Sequence, residues 1–277
     1  MDDKLRTKLE RLKEKKGSER EAGLLALAEE SQAPQVYNEL GIYYKNDAND
    51  NEKAVEMFEK ALAITEEASV YTNLASAYFN LAQKDLPERK AFMKKTVDAF
   101  QAAARLNSAS YYFLGNLYMP KINDPFPDDQ EKAVSCFMKI EKNKGAIWAQ
   151  AMKNVGLYYY HNKKDYIRAS AYFYLVKTAD PKDKKTANYY EYAFGKVNKR
   201  KFWVEQFKKM NDQNDVDRLI DAGKKKLEVR CPRCGSSKVS HISVWTNMKK
   251  TLSSSFGLRR FERYAVTWHC DSCGKEW

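Results

Sequence analysis

Four of the five cysteines fall in two matched clusters, Cys231-Pro232-Arg233-Cys234-Gly235 and Cys270-Asp271-Ser272-Cys273-Gly274. Two thiols separated by two residues and followed by glycine suit a tight turn that presents both sulfurs to one side. Two such knuckles supply four soft ligands, which is the set a single tetrahedral zinc ion takes. The matched spacing favours metal thiolates in a reducing compartment over a disulfide framework, so a cytoplasmic protein is expected. A catalytic zinc needs an open coordination position, whereas four thiolates at Cys231, Cys234, Cys270 and Cys273 close the shell and make the ion structural. The fifth cysteine, Cys136, stands beside Phe137 in a helical pattern and reads as a small apolar packing residue.

For the knuckles to meet, the 35 residues between them must double back. Alternating patterns over residues 239–245 and 263–269 predict two strands of an antiparallel hairpin. The connecting stretch carries Lys249, Lys250, Arg259 and Arg260, with Arg263 just beyond, and Phe256 and Phe261 are interleaved. Cations that neutralise phosphates beside rings that stack on unpaired bases are the elements of a nucleic-acid contact. Together with the final Cys-x-x-Cys-Gly-x-x-Trp, this segment resembles the zinc ribbons of transcription elongation factors and RNA polymerase subunits. Those ribbons carry an adjacent Asp-Glu pair at the tip, and here Glu262 is the single acid of that stretch, which argues against stimulation of transcript cleavage.

The elements ahead of the knuckles repeat. Tyr37-Leu40-Gly41-Tyr44, Tyr71-Leu74-Ala75-Tyr78, Tyr111-Leu114-Gly115-Tyr118 and Met152-Val155-Gly156-Tyr159 share offsets of 3, 4 and 7, which place each set on one face of a helix. Each is followed by a second set at offsets 4 and 7: Ala54-Phe58-Ala61, Thr96-Phe100-Ala103, Ala133-Phe137-Ile140 and Ala169-Phe173-Val176. The pattern predicts four helical hairpins, in which the small residue lets paired helices approach and the last aromatic fills the gap to the next hairpin. These residues resemble the tetratricopeptide repeat, and the longer second and third periods also suit the related Sel1-like repeats. The fold class expected is therefore mainly α, a helical-hairpin solenoid followed by a small β zinc ribbon. The expected divisions are an irregular hairpin over 1–34, four repeats over 35–181, a degenerate repeat with capping helices over 182–227, and the ribbon over 228–277.

The resemblance implies a groove lined by the first helix of each hairpin, with a protein or peptide as partner. By register its lining includes Asn38, Lys45, Asn73, Phe79, Tyr112, Asn116, Lys153, Asn154 and Tyr160. Asn73, Asn116 and Asn154 match amide positions of the family's carboxylate clamp, whose full cationic set is missing here.

Charge divides the chain in the same way as the motifs. The formal net charge is +12, and residues 223–277 hold 12 basic against 4 acidic side chains. Attraction to polyanions should therefore concentrate in the last fifth of the chain. There is no apolar run long enough to span a membrane, no Gly-rich phosphate loop, no nucleophile elbow and no His-Glu-x-x-His motif. The sequence thus reads as a non-enzymatic interaction adaptor with a structural zinc, and the alternative is a nucleic-acid or ribonucleoprotein binder acting through the ribbon.

Overall fold

The computed structural model describes residues 3–84, 87–119, 129–228, 230–241 and 268–275. Two compact units divide the chain, residues 1–216 and 217–277. Among the described residues the first unit is built of helices in consecutive pairs: α1 (Asp3–Lys13) with α2 (Gly17–Ser31), α3 (Pro34–Asn46) with α4 (Asn51–Ile64), and α5 (Ala68–Lys84) with α6 (Arg89–Leu106). The series continues with α7 (Tyr111–Leu117) and α8 (Gln130–Met138), α9 (Ala146–His161) and α10 (Tyr166–Ala179), and α11 (Lys184–Gly195) and α12 (Arg200–Phe207). A further helix, α13 (Asn214–Leu227), runs from the first unit into the second.

Three hairpins are closed by the same device. The repeat-motif tyrosine at the end of the first helix offers its carbonyl to an aspartate N–H, as in Asp50 to Tyr44 (2.8 Å), Asp129 to Tyr118 (3.1 Å) and Asp165 to Tyr159 (3.0 Å). That aspartate then caps the second helix, its carboxylate accepting from the N–H three residues on: Lys53, Lys132 and Arg168. Each cap satisfies a donor that the first helical turn would otherwise leave unpaired, worth about 1 kcal/mol. In the third hairpin the same bond closes over ten intervening residues of sequence, against five in the other two.

Within a hairpin the glycine of the first helix lies under the phenylalanine of the second. A Cβ placed at Gly41 would come within 2.4 Å of the Phe58 ring, at Gly115 within 2.5 Å of Phe137, and at Gly156 within 2.6 Å of Phe173. These three rings are fully buried, each contributing about 1.5–3 kcal/mol from removal of apolar surface. In three of the four expected repeats, then, the small residue of the first helix packs under the aromatic of the second.

Between hairpins the direction of contact differs from that expectation. Tyr44 donates to Glu21 of α2 and Tyr78 to Glu59 of α4, so the phenols reach back to the preceding hairpin. The ring fills the gap while its hydroxyl finds a carboxylate at the rim, which a buried tyrosine requires. Burial and that carboxylate push the Tyr44 phenol up to about 12.

One tie has no counterpart in the sequence pattern. Gln213, nearly fully buried, accepts from Trp148 Nε1 (2.7 Å) and donates to the carbonyls of Ile140 (2.9 Å) and Met138 (3.3 Å). Lys142 adds a bond to the Asn211 carbonyl. The segment after α12 thus returns across more than 60 residues of sequence to satisfy polar groups at the junction of the third and fourth hairpins.

Among its described residues the second unit contains two short strands, β1 (Val239–His241) and β2 (Trp268–Cys270). They pair antiparallel with Val239 opposite Cys270 and His241 opposite Trp268. The remaining portions of the two expected strands lie outside the described residues.

Candidate metal centre and groove

The antiparallel register brings the two knuckles together, and each is built alike. Gly235 N–H donates to the Cys231 carbonyl (2.9 Å) and Gly274 N–H to the Cys270 carbonyl (2.8 Å). Both glycines hold positive φ, +72° and +71°, which a side chain rarely tolerates. The first cysteine of each knuckle donates its own N–H beyond the turn, Cys231 to the Ser236 carbonyl and Cys270 to that of Lys275. A Ser236–Ser272 hydroxyl contact of 2.8 Å joins the two turns.

The four sulfurs of Cys231, Cys234, Cys270 and Cys273 all lie within 4.8 Å of one another. Cys231 and Cys273 are 3.6 Å apart, as are Cys234 and Cys270. Four thiolates at about 2.3 Å from a tetrahedral ion stand roughly 3.8 Å apart along each edge. A disulfide would need roughly 2.05 Å. The arrangement therefore fits a cation at its centre and not a pair of disulfides. Desolvation opposes a charge on Cys231, yet donors from the Cys234 and Arg233 backbone prevail and draw its thiol down to about 6. Cys231 and Cys270 are buried while Cys234 is exposed, so the cluster opens to solvent on one side.

The basic and aromatic residues expected to contact nucleic acid, Lys249, Lys250, Phe256, Arg259, Arg260, Phe261 and Arg263, lie outside the described residues.

In the helical unit the first helices of three successive hairpins line a cavity of about 410 Å³. Lys45 comes from α3, Asn73 and Phe79 from α5, and Asn116 from α7, all four expected from the register. Thr72 and Ser76 add hydroxyls to its wall, and Phe100, Phe113 and Leu117 give it an apolar side. Lys45 has no ion-pair or hydrogen-bond partner among the described residues, and its half-burial lowers its pKa. Phe113 is 42% exposed, an uncommon state for a phenylalanine, and it stacks on Phe100 with centroids 6.0 Å apart. The sequence reading missed these two rings for a simple reason. Phe100 already served as a repeat packing residue, and Phe113 is one position beyond the expected Tyr112.

The other groove residues are engaged elsewhere. Asn38 accepts from Asn73 Nδ2 at 3.1 Å and braces it. Tyr112 packs against Phe137, 6.0 Å between centroids, inside its own hairpin. Asn154 accepts from Gln150. Tyr160 lies under the Lys196 ammonium, 4.8 Å from the ring centroid. Lys153 pairs with Asp183 at 3.6 Å, both side chains largely covered. Asp183 also caps α11 and accepts from the Thr186 hydroxyl, which holds its carboxyl below the usual range. Lys153 is therefore a structural cation joining two hairpins. Lys153→Glu should set two carboxylates against each other and destabilise by about 1 kcal/mol, read as a lower melting temperature, while Lys153→Met should cost less.

No helix among the described residues is long and apolar enough to cross a membrane. A comparison with curated proteins gives no match. Among solved structures, a protective antigen present in uropathogenic Escherichia coli strains, described as displaying an SLR fold, is similar at 20% identity with a TM-score of 0.47. The similarity covers 76% of this chain and 44% of that one, so the chain spans less than half of that protein. Residues 34–67, which contain α3 and α4 with their closing turn, match the tetratricopeptide repeat family model, and the first of the four hairpins carries that family's pattern.

Proposed function

We propose that the protein is a non-enzymatic interaction adaptor of the cytoplasm, which takes a peptide segment of a partner protein into the α3–α5–α7 cavity and carries one structural zinc ion on its four cysteines. The observation that carries the reading is the unpartnered, half-buried Lys45 in the same cavity as the exposed Phe113 ring. A cation held away from water without a counter-charge is costly, and an acidic group on an incoming peptide offsets that cost. Beside it, Phe100, Phe113 and Leu117 accept a bulky apolar side chain, and the Asn116 amide with the Asn73 carbonyl oxygen, lining the same cavity, bonds an extended backbone. The partner sought is therefore a peptide pairing an acidic group with an apolar anchor.

Affinity capture from lysate with and without nuclease, repeated with Phe113→Asp and Lys45→Ala, tests the reading. Capture of a defined protein should resist nuclease, fall about tenfold in affinity with Lys45→Ala, and be abolished by Phe113→Asp. Capture that nuclease removes and that both variants retain would transfer the function to nucleic-acid contact through the ribbon.

A further inference from the structure

A second cavity, also of about 410 Å³, opens on a different part of the helical unit. From α7 and its C-cap come Tyr111, Leu114 and Tyr118, the motif face, whereas the groove uses Phe113, Asn116 and Leu117, which project in a different direction from the same helix. The walls are made by α6, contributing Arg105 with Gln101 one turn before it, and by α8 with its C-cap, contributing Lys132, Ser135 and Lys139. The spacing of each set keeps it on one helical face, and hairpin stacking turns the three faces toward one another.

Among the described residues the lining holds three cations and no carboxylate. Arg105 has no ion-pair or hydrogen-bond partner among the described residues. Lys139 lies over the Tyr111 ring, 5.1 Å from its centroid, and Lys132 lies 5.7 Å from that of Tyr118. A ring face attracts and orients an ammonium without cancelling its charge. Among the described residues Lys132 is the one cation of the three shared with a carboxylate, Asp129 at 2.8 Å, which is itself occupied in capping α8. Excess positive charge is thus focused on a concave site, with the Ser135 hydroxyl and the Gln101 amide beside it as neutral donors.

We infer that this cavity binds a small, multiply charged phosphorylated compound. A monocarboxylate would leave most of the charge uncompensated, whereas a di- or trianion engages the arginine fork and both ammoniums together. The volume lies within the range of small-molecule sites, roughly 300–1,000 Å³. The buried floor of Leu114 and Cys136 supplies apolar contact for the organic part of such a ligand.

Isothermal titration with inorganic pyrophosphate at fixed ionic strength, using chloride as the reference anion, tests the inference. The wild type should bind pyrophosphate, and Arg105→Ala with Lys139→Ala together should weaken binding at least tenfold. Both side chains are exposed, so the double variant should keep the wild-type circular dichroism and melting curve. Lys45→Ala, in the other cavity, should leave pyrophosphate affinity unchanged, which separates this site from the proposed groove. Absence of binding to the wild type, or equal binding by the double variant, would overturn the assignment.

Discussion

Cys270→Ser should release the metal and unfold the knuckles, while the far-ultraviolet circular dichroism of the helical unit persists. The strands of the second unit span only three residues each among those described, and the sulfurs stand at the centre of what they assemble. On the proposed reading the metal joins the two knuckles, and its binding free energy becomes folding free energy of that segment. Structural zinc in small domains contributes about 10–16 kcal/mol of apparent binding energy near neutral pH, far more than any single contact in the helical unit. Elemental analysis of freshly purified, reduced protein should give one zinc per chain, and a strong chelator should reproduce the effect of the substitution. Because metal binding must drive protons from the cluster, zinc release should become easier as pH falls. Metal-free protein with intact knuckle resonances would defeat the assignment.

Gly156→Leu should destabilise the helical unit by about 1–3 kcal/mol, and Gly115→Leu by a similar amount. The cause is the backbone of α9 lying against the Phe173 ring, where a Cβ would approach to 2.6 Å before any further side-chain atoms are placed. Neither helix can retreat freely, because α9 also packs against α8, and α10 against α11. For a unit of this size each kcal/mol shifts the melting temperature by roughly 2–4 °C. Gly195 provides the contrast, since nothing lies within 4 Å of a Cβ there and its φ is not in the left-handed region. Gly195→Ala should be neutral or stabilising by about 0.4–1 kcal/mol through the unfolded chain. Equal melting curves for Gly156→Leu and the wild type would place the register in error.

The hairpins, their glycine–phenylalanine contacts and the paired knuckles were all legible in the sequence, because each is set by local rules. A helix face is fixed by offsets of 3, 4 and 7, and a thiolate turn by five consecutive residues. Even the helix caps at Asp50, Asp129 and Asp165 follow from residue type beside a turn. Which of the polar residues were available to a ligand was not legible. Lys45 and Lys153 both read as groove cations, yet Asp183 from the following hairpin neutralises one and nothing described neutralises the other. The return of Gln213 to Trp148 and the convergence of Arg105 with Lys132 and Lys139 join positions between 27 and 65 residues apart. Periodicity determines the face on which a side chain stands. The stacking of hairpins decides what it meets there, since the partner comes from another part of the chain and depends on the angle at which two helices pack.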